Sequence, residues 1–327
     1  MFAYIVRRLL YAVPILIGVN LLTFALFFMV NSPDDMDRMQ LGIKHVRQAD
    51  IDKWKHDHGY DKPLFINHKA SGLHVLTDTI FYTKSVSLFT FHFGKSDGGR
   101  DIGYDIRQRM GPSLAIAIPA FIVGLLVNIT FALLLAFFRA TYVDIWGVVF
   151  CVIMMSISSM FYIIGGQYLV SKTLHLVPIS GFGYYGLSTF KFLILPILIG
   201  IISGIGSGSR WYRTIFLEEI GRDYVRTARA KGLSELRVLF RHVLKNAMIP
   251  ILTGVVVVIP LLFLGSLLTE SFFGIPGLGS YTIDAIQAQD FAIVRVMVFL
   301  GSLLYIFGLI LTDISYTLFD PRIRLQE

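Results

Sequence analysis

Charge is scarce in this chain. Of its 327 residues only 16% are Asp, Glu, Lys or Arg, while 55% are hydrophobic. A soluble domain carries about a quarter charged residues, so an ordinary soluble fold is excluded and a membrane protein is expected. Cysteine is scarcer still. The one Cys, Cys151, stands in an apolar run, which excludes a disulfide framework. No cleavable signal is evident either: the first apolar run, 9–30, is too long for a signal-peptide core and has no clear small-residue cleavage site.

Catalytic constellations are also lacking. There is no G-x-S-x-G, no H-E-x-x-H and no carboxylate pair clustered within the apolar runs. Gly94-Lys95-Ser96 ends like a nucleotide-binding P-loop, but Phe89 occupies the place of its first glycine. The expectation is a chain that is not an enzyme, with no cofactor, no metal and no ATP site of its own.

What is present is apolar length. A transmembrane helix needs about 20 apolar residues. Six runs come near or exceed that: 9–30, 113–138, 146–171, 191–208, 247–269 and 293–318. Pro14 and Gly18 in the first run are tolerable where neighbours satisfy the backbone. The expected fold class is therefore an all-α polytopic membrane protein of six transmembrane helices. Only 139–145 separates the second and third runs, which implies a tight helical hairpin. Three regions are expected: 1–30, an N-terminus and first span; 31–112, a polar cap segment; and 113–327, a five-span core with a loop at 209–246.

Orientation follows from the basic residues of the short loops. Loops 139–145, 209–246 and 319–327 hold Arg139, nine Lys/Arg from Arg210 to Lys245, and Arg322 with Arg324. Placing these inside puts both termini in the cytoplasm and 31–112 outside. Within 31–112, Asp50 to His58 looks helical and Lys95 to Arg100, with Gly98-Gly99, looks like a turn.

Several polar residues are candidates for more than packing. Six of the eight histidines lie in 31–112. His56 and His58, with Asp57 and Asp61, suggest a metal, but a spacing of two points helical side chains to different faces. Solvated polar side chains are the simpler reading. Glu270, Arg295 and Asp313 lie near span ends, with Asp313 read as the most buried. A structural role for it outweighs a proton relay. Asn128 and Gln167 fall near mid-span and either line a pathway or join helices. Gly200, Gly204, Gly206 and Gly208 let helices approach closely in lipid.

One stretch stands apart from the apolar pattern, GRDYVRTARAKGLSELRVLFRHVLKNAMIP at 221–250. Arg222, Arg226, Arg229, Lys231, Arg237, Arg241 and Lys245 face only Asp223 and Glu235. Asp223 can cap a first helix and Gly232 can stop it. Ser234 opens a second helix, with Leu236, Leu239, Phe240 and Val243 at helical spacing. Tyr224, Ala228 and Lys231 share a face of the first helix, and small Ala228 and Ala230 leave room for another surface.

This stretch resembles the cytoplasmic coupling loop, the EAA loop, of ABC-importer permeases. DYVRTARAKGL followed by FRHVLKNAMIP is similar to the dipeptide/oligopeptide permease subfamily. Arg226 stands where the wider superfamily has Glu. YIVRRLLYAVPILIGVNLLTFAL at the first span, HGYDKPL at 58–64, FHFGKS at 91–96 and TESFFGIPGLGSYTIDAIQAQDF at 269–291 resemble markers of the same subfamily. Nickel-importer permeases resemble it too.

The resemblance implies the type I ABC-importer permease fold in a bacterial inner membrane. It implies short peptides as cargo and coupling through Tyr224, Arg226, Thr227, Ala228, Arg229, Ala230, Lys231 and Gly232. The implied partners are a homologous second permease, two ABC ATPase subunits that bind the ATP, an extracytoplasmic solute-binding protein and the lipid bilayer. No nucleic acid is implied. The rival class, an ion-gradient-driven secondary transporter, would show more charges within the spans and inverted repeats.

Overall fold

The structure, a computed structural model, describes residues 2–30, 52–183 apart from 54, 57, 58, 69, 70 and 73, and 187–319. The described residues are overwhelmingly helical. Five helical stretches are long and apolar enough to cross a membrane: Val6–Met29, Ile102–Phe137, Thr189–Ile220, Glu235–Leu264 and Phe291–Ser315. A sixth exists only if Tyr142–Ser156 and Ser159–Thr173, bent by 86°, count as one broken span. The chain divides into two compact units, Met1–Met110 with Tyr281–Phe307, and Gly111–Ser280 with Gly308–Glu327.

The first unit starts with α1 (Phe2–Phe24), which continues as a π-helical turn, Ala25–Val30. Its polar segment makes an aromatic core that composition does not announce. Phe24, Phe28, Tyr60 and Ile80 are buried together, with Phe27, Leu64, Phe81 and Phe291 against them. The Phe24 ring lies 4.8 Å from Phe28 and meets Phe81 edge-on at 5.1 Å. Of two short helices, α2 (His74–Thr77) and α3 (Ile80–Lys84), α3 supplies Ile80 and Phe81 to this core, and the Thr79 hydroxyl caps α3 by accepting the Tyr82 N–H. The expected turn at Lys95 to Arg100 is present. Gly99 adopts φ +78°, and the Ser96 N–H donates to the Arg100 carbonyl at 2.8 Å. Of the expected helix at Asp50 to His58, the described Asp52, Lys53, Lys55 and His56 are helical.

The long helix α4 (Ile102–Phe137) starts well before the apolar run at 113. The Asp101 carboxylate accepts the Tyr104 N–H at 2.7 Å and so caps a first stretch with no apolar signature. The turn after α4 is tight, with Ala140 at φ +62°, and leads into α5 (Tyr142–Ser156). The hairpin is as expected, but the third apolar run is not one straight span. Ile157 is extended, and the Ser158 hydroxyl accepts the Met160 N–H to open α6 (Ser159–Gly166). A serine offering a new cap competes with continued helix, and here it turns the chain.

The helix α7 (Leu187–Ile220) also outruns its apolar stretch, carrying Arg210 and Arg213 beyond it. It packs against α5 through Gly206 and against α4 through Gly208. A side chain at Gly206 would meet the Cys151 carbonyl oxygen at 2.5 Å, and one at Gly208 would meet Asn128 at 2.8 Å. The basic stretch holds α8 (Asp223–Ala230) and α9 (Glu235–Val238) and runs into α10 (Leu244–Leu261). Then follow α11 (Leu267–Phe273), α12 (Leu278–Gln287) and α13 (Phe291–Phe319). Gly274, at φ +61°, makes the turn out of α11.

Of the three charges near span ends, Asp313 is only half-buried, whereas Glu270 is 1% and Arg295 4% exposed. The expectation that Asp313 is the most buried is thus corrected. Glu270 lies on α11, which folds its carboxylate inward. Its oxygens accept the N–H groups of Ser266 at 3.1 Å, Gly279 at 2.7 Å and Ser280 at 3.1 Å. Ser113 of α4 bonds the same carboxylate and accepts the Leu278 N–H at 2.8 Å. Burial pushes the Glu270 pKa up, and these hydrogen bonds oppose the rise.

Candidate functional site

The basic stretch forms a short helix lashed to the ends of three long ones. Val225 and Ala228 of α8 are buried with Ala132, Leu133 and Ala136 of α4 and with Phe216 and Ile220 of α7. Val238, Leu239, Val243, Ala247 and Ile251, along α9 to α10, complete this core. Burying a side chain such as Val225 contributes about 1.5–3 kcal/mol. The helix is therefore held by packing, since eight residues cannot hold themselves helical in water.

Polar ties fix its two ends. The Tyr224 hydroxyl donates to the Glu219 carboxylate on α7. Burial first, and that bond second, push the Tyr224 pKa up to about 12. At the other end Arg229 grips Glu235 of α9 with two bonds, Nε to Oε1 at 2.7 Å and an Nη to Oε2 at 3.2 Å. Gly232 ends the helix at φ +77°, where a residue with a Cβ is strained, and the Leu233 N–H reaches back to the Ala228 carbonyl.

The expected site residues thus divide between two faces. Tyr224 is half-buried, Ala228 is buried and Arg229 is half-buried on Glu235. Arg226, Thr227, Ala230, Lys231 and Gly232 are exposed. Tyr224, Ala228 and Lys231 do not share one open face: Ala228 packs inward, and only Ala230 leaves the expected space for another surface. Asp223 does not cap α8. It stands inside the first turn, with Arg222 at the cap position, and lies 3.6 Å from Arg226.

The second helix opens at Ser234 as expected, but its inner face is different. Leu239 and Val243 are buried with Val238, whereas Leu236 and Phe240 are each 57% exposed. The turn Leu239–Val243 is π-helical, and its extra residue shifts the phase of the face. The helix then runs through Pro250 into the membrane-length stretch without a break.

Sequence reasoning missed a second clamp. Arg213 of α7 holds Asp144 of α5 bidentately, Nε to Oδ1 at 2.8 Å and Nη2 to Oδ2 at 2.7 Å. Asp144 also accepts the Ala140 N–H at 3.2 Å. In the sequence Arg213 reads only as one of the basic residues that set orientation. The clamp and Glu235 line one open cavity together with Phe137, Arg139, Ala140 and Leu217.

The two mid-span candidates both join helices. Asn128 accepts the Ser209 hydroxyl at 2.9 Å across α4 and α7. Gln167 donates to the carbonyls of Ile179 and Phe272, each at 3.0 Å. Asn128 also borders a groove between α4 and α7 with Gly204, Gly208 and Tyr212. His56 pairs with Asp61 at 3.0 Å, and His58 and Asp57 lie outside the described residues.

Known proteins resemble this chain over nearly its whole length. Residues 128–325 match the family described as binding-protein-dependent transport system inner membrane component. Residues 1–93 match its N-terminal companion family. The chain is 30% identical to the oligopeptide transport system permease protein AppB of Bacillus subtilis, covering 99% of this chain and 100% of that one. It is 30% identical to the probable peptide ABC transporter permease protein y4tP of Sinorhizobium fredii, covering 98% and 99%. It is 29% identical to the dipeptide transport system permease protein DppB of Escherichia coli, covering 99% of each. This multi-pass, all-helical chain belongs to the family of binding-protein-dependent transport system inner membrane components, with the type I ABC-importer permease fold.

Proposed function

We propose that the chain forms half of the translocation pathway of an ATP-driven importer of short peptides. It works in a bacterial inner membrane with both termini in the cytoplasm. A homologous second permease supplies the other half. Two separate ATPase subunits bind the ATP, and an extracytoplasmic binding protein delivers the peptide. The peptide class is carried by the names of the relatives, which are oligopeptide and dipeptide permeases.

The observation that carries the coupling role is the two-faced α8. Its inner face is packed into α4, α7 and α10, and its outer face presents Arg226, Thr227, Ala230 and Lys231. A partner that displaces the outer face moves three long helices as one body. An ATPase that binds this face more tightly in one of its states than in the other biases the permease toward one direction of access. Tyr224, Ala228, Arg229 and Gly232 hold the loop in shape for that contact.

The test is a pull-down in mild detergent from the native membrane, followed by transport in liposomes. A second permease and P-loop ATPases are expected to co-purify. Ala230→Trp is expected to abolish peptide uptake while the permease still inserts with an unchanged Tm. Recovery of the chain alone, transporting under an ion gradient, would overturn the proposal in favour of a secondary transporter.

A further inference from the structure

Within the unit of Met1–Met110 with Tyr281–Phe307, α13 carries a buried cation that no described carboxylate touches directly. Arg295 is 4% exposed. Its Nε has no hydrogen-bond partner, and no carboxylate among the described residues pairs with it. The Phe28 ring covers it, with the guanidinium carbon 5.3 Å from the ring centre. A desolvated charge without an acceptor is costly, and natural proteins rarely keep one without a use.

A second cation lies close by. Lys84 stands 5.0 Å over the ring of Tyr60, which is itself buried against Phe28. Burial first, and the Arg295 charge second, push the Lys84 pKa down to about 8. The same hydrophobic core therefore holds two repelling cations. The nearby acids only partly answer them. Asp290 spends one oxygen on the Ile293 N–H at 3.1 Å and the other on the Asp97 N–H at 3.0 Å. Asp97 and Asp290 both act on Arg295 through their charges, and Asp97 acts on Lys84 as well, but neither carboxylate bonds the guanidinium. Beside Lys84, the fully buried Ser85 hydroxyl also lacks a partner.

We propose that Arg295 and Lys84 form a binding site for a carboxylate ligand, walled by Phe28 and Tyr60. The guanidinium presents parallel N–H donors that match a carboxylate bidentately, and the ammonium adds a point charge. Asp97 and Asp290 disfavour a dianion, which selects a monocarboxylate over phosphate. The aromatic walls exclude water and strengthen both contacts. Two sources share this chemistry, a free small carboxylate and the C-terminus of a peptide. The second source rests on the transport reading; the first does not.

The experiment is thermal unfolding of the purified chain in nanodiscs, in acetate or chloride at constant ionic strength. Acetate is expected to raise Tm by about 2–4 °C over chloride. Arg295→Met is expected to melt higher than wild type in chloride, having lost an unpaired buried charge, and to show no response to acetate. Lys84→Met is expected to need severalfold more acetate for the same rise. No rise in wild type, or an equal rise in Arg295→Met, overturns the site. Should Arg295→Met fail to fold, an unchanged acetate response in Lys84→Met overturns it instead. Dialanine with a free C-terminus is expected to raise Tm, and amidated dialanine is not. A rise with acetate but with neither dialanine form keeps the site and rejects the peptide source, whatever becomes of the transport reading.

Discussion

Gly206 and Gly204 stand two residues apart on α7 and look alike in the sequence. They predict opposite outcomes for the same substitution. Gly→Ala in a helix interior stabilises by about 1 kcal/mol through propensity alone. At Gly204 nothing lies within 4 Å of the added methyl, so that gain is expected in full. At Gly206 the methyl would stand 2.5 Å from the Cys151 carbonyl oxygen and 3.0 Å from the Met155 backbone nitrogen. Both atoms belong to the backbone of α5, which cannot rotate aside as a side chain can. Overpacking of this kind costs about 1–3 kcal/mol.

The propensity gain is common to both, so the two variants should differ by the overpacking cost alone, about 1–3 kcal/mol. Cys151 supplies a local reading, because it is the only cysteine and is fully buried at this contact. Maleimide labelling of Cys151 in mild detergent is expected to run roughly five- to a hundredfold faster in Gly206→Ala than in Gly204→Ala, at tenfold per 1.4 kcal/mol. Gly204→Ala is expected to label as slowly as wild type. Equal labelling and equal Tm in the two variants would refute the close approach of α5 and α7.

Three further outcomes follow from single contacts. Asp144→Asn is expected to destabilise by about 1–3 kcal/mol, because it leaves the Arg213 fork without its anion. A double-mutant cycle with Arg213→Gln should show strong non-additivity in Tm, and simple additivity would deny the clamp. Glu270→Ala strips the acceptor from the buried N–H groups of Gly279 and Ser280, at about 1–3 kcal/mol each, and should lower Tm more than Glu270→Gln does. Because burial raises the Glu270 pKa, its protonated form is favoured in the fold. That contribution is complete below the unfolded carboxylate pKa of about 4.3 and is lost as pH rises through the folded value. Melting across this range should fall more steeply in wild type than in Glu270→Gln, and parallel profiles would refute the direction.

Much of this architecture was legible because lipid imposes a simple rule. Apolar length gave the spans, and the Gly232 stop and the Ser234 start gave the helix–turn–helix of the basic stretch. The misses share a cause. Helix ends with mixed polarity, such as Ile102 to Pro112 and Arg210 to Ile220, carry no apolar signature, so α4 and α7 ran past their predicted limits. The break at Ile157 lies in an unbroken apolar run, where only the cap chemistry of Ser158 marks it. The direction of Ala228 was hidden for another reason. An eight-residue amphipathic helix can bury either small residue, and only the tertiary contacts with Ala132, Ala136 and Ala247 decide which. Four glycines at close spacing likewise looked equivalent, although Gly206 and Gly208 make contact and Gly204 does not.

The central claim is that the outer face of α8 meets a separate ATPase. With Cys151 replaced by Ala, single cysteines at Ala230 and Ala228 test it directly in native membranes. A short thiol-reactive crosslinker is expected to join Ala230→Cys to a P-loop ATPase and to leave Ala228→Cys unreacted. Crosslinking at neither position, or equally at both, would contradict the account.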